Sequence, residues 1–193
     1  MAHPLVARWQ TERLVAVIRA PEIRSARALA GAVRQAGIAL VEVTLTFSGA
    51  LDLLQELAPP VGCGTVLTPT QAKDALAAGA QFLVSPIADP DIIGLGRDHG
   101  VLVVSGAWTP TEIHTAWSWG ADVIKLFPAH LGGVPYLKSL RQVFSEVLFF
   151  PCGGVDFAIV PDYIRAGALA VGMGQGLLKE DQLAQKVQQV RVL

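Results

Sequence analysis

Charged side chains are scarce in this sequence. Asp, Glu, Lys and Arg together make up 16% of the 193 residues, against about 25% in an average globular domain. Fifteen basic and sixteen acidic residues leave a formal net charge of −1, and like charges nowhere form a run. This balance excludes the basic patch of a nucleic-acid or anionic-membrane binder. Hydrophobic residues reach 52%, which excludes disorder and predicts a large buried core.

Cysteines and long apolar stretches are also lacking. The two cysteines, Cys63 and Cys152, lie too far apart for a disulfide framework or a cysteine metal motif. The four histidines have no H-x-H or H-E-x-x-H spacing, so we expect no metal site. No segment approaches the roughly 18 uncharged apolar residues of a membrane-spanning helix, and the N-terminus lacks the apolar region of a signal peptide. We therefore expect a cytoplasmic protein in a reducing compartment.

Short apolar runs rich in Val, Ile, Leu and Phe recur along the whole chain. A spacing of about 22 residues separates them, whereas hairpin strands would follow one another every 8–12 residues or so. The runs therefore indicate strands that alternate with helices. They begin near Leu14, Leu40, Val61, Phe82, Val101, Val123, Val147 and Leu169.

The segments between these runs have the start and stop signals of helices. Thr68, Asp89 and Thr109 each precede a proline, which predicts an N-cap followed by proline at the first helical position. Glycine stands where each helix should end, just before a new apolar run. These glycines are Gly37, Gly79, Gly100, Gly120 and Gly167.

Continuous apolar strands with capped crossover helices predict a parallel sheet buried on both faces. We read residues 1–193 as a single α/β domain, a compact (β/α)₈ TIM barrel with minimal loops. An open, doubly wound sheet is the alternative. The barrel is favoured because the even spacing gives no sign of a topological reversal, and no G-x-G-x-x-G or P-loop motif follows any strand.

Two charged residues lie inside the predicted buried strands, where a charge is costly unless it is paired or functional. Lys125 lies in VIKLFP at 123–128 and Glu42 in LVEVTL at 40–45. These are the sixth and second runs, and alternate strands of a barrel direct side chains into the same interior layer. The pair is therefore predicted to face one cavity. A structural ion pair would add little net stability, which favours a catalytic role.

Arg19 and four glycines stand near predicted C-terminal strand ends, where barrel active sites collect. Arg19 closes the first strand and is a candidate anion-binding side chain. Gly153 and Gly154 follow the seventh strand, and Gly172 and Gly174 cluster near the end of the eighth. Phosphate sites in such barrels use the loops after strands 7 and 8, so we predict a phosphate site there.

The chain resembles the 2-keto-3-deoxy-6-phosphogluconate (KDPG) and 4-hydroxy-2-oxoglutarate (KHG) aldolase family. The resemblance runs almost end to end, in the order and spacing of several motifs. These are AVIRA at 16–20, VEVTLT at 41–46, GCGTVLTP at 62–69, GAQFLVSP at 79–86, KLFPA at 125–129, PCGGV at 151–155 and AVGMG at 170–174.

This resemblance implies a class I aldolase that forms a homotrimer and uses no metal or other cofactor. The Schiff-base lysine of the family falls on Lys125 and its catalytic glutamate on Glu42. The threonine of the G-T-V motif, a pyruvate-carboxylate contact, falls on Thr65. The predicted substrate-binding residues are Arg19, Thr65, Pro86, Phe127, Gly153, Gly154, Gly172 and Gly174.

Three positions depart from the commoner family pattern. Thr46 stands where some members have an arginine for the pyruvate carboxylate, which leaves Arg19 to bind that anion. Cys152 replaces the threonine of the usual P-T-G-G motif. Gln175 occupies the place of a serine often found near the substrate phosphate. These changes leave the chemistry intact and bear on the length and phosphorylation of the substrate.

We predict cleavage of KDPG to pyruvate and glyceraldehyde 3-phosphate, with KHG as a further substrate. Lys125 would attack the C2 carbonyl as a neutral amine, its pKa lowered by desolvation, and Glu42 would move protons. Two alternatives stay open. One is a phosphate-binding barrel isomerase or synthase with Glu42 as base and no Schiff base. The other is a non-catalytic barrel that binds a phosphorylated metabolite.

Overall fold

A computed structural model describes residues 3–174, 176–177 and 181–193. Within these ranges eight short strands are all parallel to their neighbours. They are β1 (Leu14–Ile18), β2 (Leu40–Thr44), β3 (Val61–Gly64), β4 (Phe82–Val84), β5 (Leu102–Ala107), β6 (Val123–Leu126), β7 (Phe149–Pro151) and β8 (Val171–Met173).

Helices precede the first strand and follow every strand. They are α1 (Leu5–Glu12), α2 (Ile23–Gln35), α3 (Ala50–Glu56), α4 (Pro69–Ala77), α5 (Pro90–Asp98), α6 (Pro110–Ser118), α7 (Gly133–Val143), α8 (Val160–Arg165) and α9 (Leu183–Arg191). Short 3₁₀ turns cover Ala129–Leu131 and Phe157–Ile159. None of the helices in the described ranges is long and apolar enough to cross a membrane.

The predicted helix boundaries are confirmed. The side chains of Thr68, Asp89 and Thr109 each accept a hydrogen bond from a backbone N–H in the first turn of α4, α5 and α6. Thr109 and Glu112 form a reciprocal capping box. All five predicted stop glycines follow a helix end with a positive φ, between 65° and 95°, a conformation that glycine adopts without a Cβ clash.

The strand order β7-β6-β5-β4-β3-β2-β1-β8 follows the chain without a reversal. Two isolated bridges join the chain at β7 to the chain at β8, Phe149 with Ala168 and Cys152 with Gly172. The sheet therefore closes on itself through a weak seam. The (β/α)₈ barrel is confirmed, and the open doubly wound sheet is excluded.

Two apolar layers result. The larger one fills the space between strands and helices, and the smaller one fills the barrel. Trp9 of α1 enters the smaller cluster from the N-terminal end and is fully buried, edge-on to Phe82 at 5.3 Å and to Phe150 at 5.0 Å between ring centroids. The Trp9 ring thereby fills the N-terminal end of the barrel interior.

Candidate active site

Glu42 enters the barrel interior because side chains alternate along β2. Leu40 belongs to the apolar cluster inside the barrel, and Val41 and Val43 belong to the outer layer under the helices. Glu42, two residues after Leu40, therefore points inward and is 0% exposed. The strand pattern by itself puts a carboxylate at the centre of an apolar barrel.

The same alternation brings Lys125 inward from β6. Val123 lies in the inner cluster, and Ile124 and Leu126 lie in the outer one. Lys125 is 4% exposed, and its Nζ lies 3.6 Å from Glu42 Oε1. The two charged residues of the predicted strands thus meet inside the barrel.

Gly64 of β3 provides the space that the Glu42 carboxylate occupies. A Cβ at this position would lie 2.0 Å from Glu42 Oε1 and 2.5 Å from its carboxyl carbon. Any larger residue would displace the carboxylate toward another position. This glycine was not singled out from the sequence, because only the packed barrel brings β3 against the Glu42 side chain.

The ion pair has few other polar partners. In the part of the chain that the structure describes, neither carboxylate oxygen of Glu42 has a hydrogen-bond partner. The Phe127 ring lies beside the amine, with Lys125 Nζ 5.4 Å from its centroid. Much of what holds the pair is therefore mutual attraction in an apolar surrounding.

The pKa of Lys125 differs from the value expected from the sequence. Burial lowers the pKa of Lys125, but the Glu42 carboxylate raises it, and the net direction is above the ordinary lysine value. The prediction of a lowered pKa for Lys125 is therefore wrong for the unliganded pair, because the effect of desolvation is outweighed by the Glu42 carboxylate. The amine of the unliganded pair is therefore charged, and nucleophilic attack requires that it first lose a proton.

A cavity of about 360 Å³ opens over this pair at the C-terminal mouth. Its volume suits a small organic substrate. Most of the predicted binding residues contribute to its wall. The lining is Val17, Arg19, Lys125, Phe127, Cys152, Gly153, Gly154, Val155, Gly172, Gly174 and Gly176.

Arg19 stands at the rim of this cavity with Thr65. The Arg19 Nη2 donates to Thr65 Oγ1 over 3.3 Å, so the end of β1 and the residue after β3 present a guanidinium and a hydroxyl together. Thr65 itself has a φ of +58°, which is uncommon for a β-branched residue. It does not line the 360 Å³ cavity and reaches it through Arg19.

The predicted residues Pro86 and Thr46 take other positions. Pro86 lines a neighbouring cavity of about 420 Å³, which Phe127 also lines. Its backbone lies over β5, where a Cβ on Gly106 would come within 2.1 Å of the Pro86 carbonyl carbon. Thr46 is exposed and pairs with Thr44 over 2.8 Å between hydroxyl oxygens. Gln175 lies outside the described residues.

The wall of the 360 Å³ cavity includes a thiol that the sequence analysis noted only as a departure from a family motif. Cys152 is 5% exposed and lines the cavity. Burial raises the pKa of Cys152 to about 11, so the thiol is neutral. Its inward position follows from the alternation with Phe150 of β7 in the inner cluster. Cys63 belongs to the outer layer, and burial raises its pKa to about 12.

Two of the glycines that line the cavity have backbone conformations that favour glycine. Gly153 and Gly154 adopt positive φ values of +92° and +68°, and a Cβ on Gly153 would come 2.8 Å from the Phe127 ring. Only glycine fits this turn.

Within the described residues, no three His, Cys, Asp or Glu side chains converge as metal ligands.

A lysine amine and a carboxylate buried together below a small-molecule cavity, at the C-terminal mouth of a (β/α)₈ barrel, define an enzyme-type site suited to covalent chemistry on a carbonyl. The comparisons with known proteins agree. A model of the family "KDPG and KHG aldolase" matches residues 5–193. The chain belongs to this aldolase family, whose members are lyases.

Individual relatives extend the comparison. A 2-dehydro-3-deoxy-phosphogluconate aldolase of Treponema pallidum is 37% identical over 158 residues, 79% of this chain and 75% of that protein. A 2-dehydro-3-deoxy-6-phosphogalactonate aldolase of Escherichia coli is 34% identical over 190 residues, 94% and 92% of the two chains. The KDPG aldolase structure from Legionella pneumophila, with pyruvate captured as a covalent carbinolamine, is 29% identical with a TM-score of 0.80 and covers 96% of this chain and 95% of that chain.

Proposed function

We propose that this chain is a class I aldolase that cleaves KDPG to pyruvate and glyceraldehyde 3-phosphate, and KHG to pyruvate and glyoxylate. The observation that carries the proposal is the buried Lys125 Nζ, 3.6 Å from Glu42 Oε1 below the cavity. The covalent carbinolamine in the Legionella relative supports the same chemistry.

Lys125 is the proposed nucleophile. The proton moves from Nζ to Glu42, and the neutral amine attacks the C2 carbonyl of the keto acid. Loss of water, with a proton returned from the carboxyl group, gives the iminium. This cation accepts the electron pair of the C3–C4 bond as that bond breaks. As that bond breaks, Glu42 takes the proton of the C4 hydroxyl, either directly or through a water, which releases the aldehyde and leaves an enamine on Lys125. Glu42 returns this proton to C3 of the enamine, and water then hydrolyses the resulting iminium, which releases pyruvate and the Lys125 amine.

Arg19 and Thr65 are the proposed carboxylate site. The guanidinium lines the cavity and is joined to the Thr65 hydroxyl. A carboxylate accepts bidentate hydrogen bonds from arginine. Some family members bind the pyruvate carboxylate with an arginine at the position of Thr46. Because Thr46 has no positive charge, we assign this carboxylate to Arg19.

The glycine loops are the proposed phosphate site. Gly153, Gly154, Gly172 and Gly174 all line the cavity, and backbone N–H groups bind anions without a side-chain charge. Pro86 and Phe127 are proposed to border the substrate from the neighbouring cavity. The C4 configuration is tested with both epimers, since the relatives include gluconate- and galactonate-type aldolases.

The deciding experiment is borohydride trapping with pyruvate, followed by peptide mapping. The expected result is one reduced adduct, on Lys125. Lys125→Arg keeps the charge and should abolish both trapping and cleavage, whereas Lys138→Arg, a matched change on the exposed face of α7, should leave both intact. Turnover without any trapped adduct would favour the isomerase or synthase alternative, and binding without turnover the non-catalytic one.

A homotrimer in the cytoplasm is the proposed state of the enzyme. Ile87, Trp119 and Phe127 are exposed by 44%, 40% and 37% and line the 420 Å³ cavity together. Such apolar patches commonly mark interfaces. Sedimentation equilibrium should give three times the 20.4 kDa chain mass, and Trp119→Glu should lower it. A wild-type species of single-chain mass at micromolar concentration would exclude the trimer. The proposed cytoplasmic location is tested separately, by cell fractionation.

A further inference from the structure

His130 lies next to the glycine turn but outside the wall of the active-site cavity. It follows β6, in the 3₁₀ turn Ala129–Leu131. Its backbone N–H and its ring Nδ1 lie 3.2 Å and 3.3 Å from the same acceptor, the carbonyl oxygen of Gly153. Because a carbonyl only accepts, Nδ1 carries the proton of this contact. One residue therefore holds one carbonyl group with two donors.

Core packing does not account for this arrangement. His130 is exposed, and a further cavity of about 450 Å³ lies along it, lined also by Asp156, Asp162 and Tyr163. The imidazole nevertheless lies directly against Gly154. A Cβ on that glycine would come 2.5 Å from Nδ1 and 2.7 Å from Cγ of the ring. The ring covers one side of the turn, and the active-site cavity lies against the same glycine.

The peptide plane transmits this contact to the anion site. In a trans peptide, the C=O of one residue and the N–H of the next point in opposite directions. The only cis peptide bonds of the described residues are Pro59-Pro60 and Phe127-Pro128, so the Gly153-Gly154 peptide is trans. Holding the Gly153 carbonyl on His130 therefore directs the Gly154 N–H away from His130.

The Gly154 N–H has no acceptor among the residues that the structure describes, so it can serve as a donor to a ligand. In the described part of the chain, no hydrogen bond joins it to another protein atom. Two consecutive glycines have many alternative backbone conformations, and ordering them has an entropic cost. The backbone N–H of His130 supplies one contact to the Gly153 carbonyl, and the ring Nδ1 adds a second that restricts the direction of this donor further.

We propose that His130 is a positioning residue, which orients the Gly154 N–H toward the terminal anion of a phosphorylated substrate. The inference rests on the proposed phosphate site at the glycine loops and deepens it. It implies that the effect of His130 is confined to phosphorylated ligands. Reactions of pyruvate and KHG, which have no phosphate, should not depend on this side chain.

The test compares three variants with the wild type. His130→Leu removes the ring donor, and His130→Asn keeps an N–H donor at about the same distance from the main chain. His99→Leu is the matched control, because His99 also contacts a backbone carbonyl, that of Leu95, through Nδ1 at 2.9 Å, at the end of α5. Each protein is assayed for inhibition by inorganic phosphate, for KM and kcat with KDPG and KHG, and for borohydride trapping of pyruvate.

For His130→Leu we expect the phosphate inhibition constant and the KM for KDPG to rise about five- to tenfold, the size of one lost hydrogen bond. Its kcat, its KHG kinetics and its pyruvate trapping should stay unchanged. His130→Asn should recover most of the loss, and His99→Leu should behave as wild type.

The other outcomes overturn the inference in distinguishable ways. If inorganic phosphate does not inhibit the wild-type enzyme, the proposed phosphate site is refuted and this inference with it. If phosphate inhibits the wild type and His130→Leu equally well, the inference about His130 is refuted and the phosphate site stands. A general structural effect would be indicated if His130→Leu lost activity with KHG or pyruvate trapping as strongly as activity with KDPG. The same conclusion would follow if His99→Leu showed the same losses, or if His130→Asn recovered none of the phosphate affinity.

Discussion

Replacing Glu42 by Gln separates the two effects that act on the Lys125 amine. The substitution keeps the size of the side chain in the space that Gly64 leaves open, and it removes the negative charge. Desolvation of Lys125 remains, because the amine is still 4% exposed. The attraction that raises the pKa of Lys125 is lost. The pKa of Lys125 should therefore fall.

The size of the lost attraction follows from the geometry. Two unit charges 3.6 Å apart interact by about 5 kcal/mol at an effective dielectric constant of about 20. This is large compared with the roughly 1.4 kcal/mol that corresponds to one pKa unit. The direction of the change in the variant is therefore clear. The amine should be neutral at a lower pH in Glu42→Gln than in the wild type.

Two assays measure the two expected effects of Glu42→Gln, on the pKa of the amine and on proton transfer. In borohydride trapping with pyruvate, the pH at which the trapping rate is half-maximal should move down, because attack needs the neutral amine. In the cleavage assay, turnover should drop by about 10²–10⁴-fold, the usual loss of a positioned acid–base group. Glu56→Gln is the matched control, since Glu56 pairs with Arg27 at 2.7 Å on the exposed surface and should affect neither assay.

A half-trapping pH that rises or stays the same in Glu42→Gln would refute the assignment of Glu42 as the group that raises the Lys125 pKa. Turnover within tenfold of the wild type would refute its role in proton transfer. Circular dichroism should show a folded variant, so that a loss of activity is not a loss of the barrel.

Three further substitutions test the packing around the site. Gly64→Ala should displace the Glu42 carboxylate and lower kcat by about 10²-fold, while Gly94→Ala, where a Cβ meets nothing within 4 Å, should keep activity; equal kcat values would contradict the steric argument. Trp9→Ala should lower the free energy of unfolding by about 3–5 kcal/mol in urea denaturation, and a loss below about 1 kcal/mol would mean that the Trp9 ring is dispensable. Thr109→Ala should lose about 1 kcal/mol of stability from the capping box, and no measurable loss would contradict that role.

Predictions that depend on local chemistry agreed with the structure. The caps at Thr68, Asp89 and Thr109 need only the residue and the few that follow it, so they could be read directly. The strand starts were placed within two residues, since an apolar run is interrupted wherever the chain leaves the sheet. The inward orientation of Lys125 and Glu42 follows from a period of two along each strand.

Predictions that depend on contacts between distant segments were less complete. Trp9 did not stand out among four tryptophans, because its burial requires Phe82 and Phe150 from strands far along the chain. The placement of Pro86 beside a neighbouring cavity depends on how the loop after β4 crosses β5. The support of Gly153 by His130 likewise joins two loops that follow different strands.

The sequence by itself determined the (β/α)₈ alternation, the helix ends, and the two charged residues that share the barrel interior, because each depends on a short-range period or a local cap. The tertiary structure alone decided the electrostatics of the pair. Whether burial or attraction controls the pKa of Lys125 depends on a 3.6 Å separation between residues on opposite sides of the barrel. Electrostatic energy varies with distance and surroundings, and neither is contained in the order of residues along the chain.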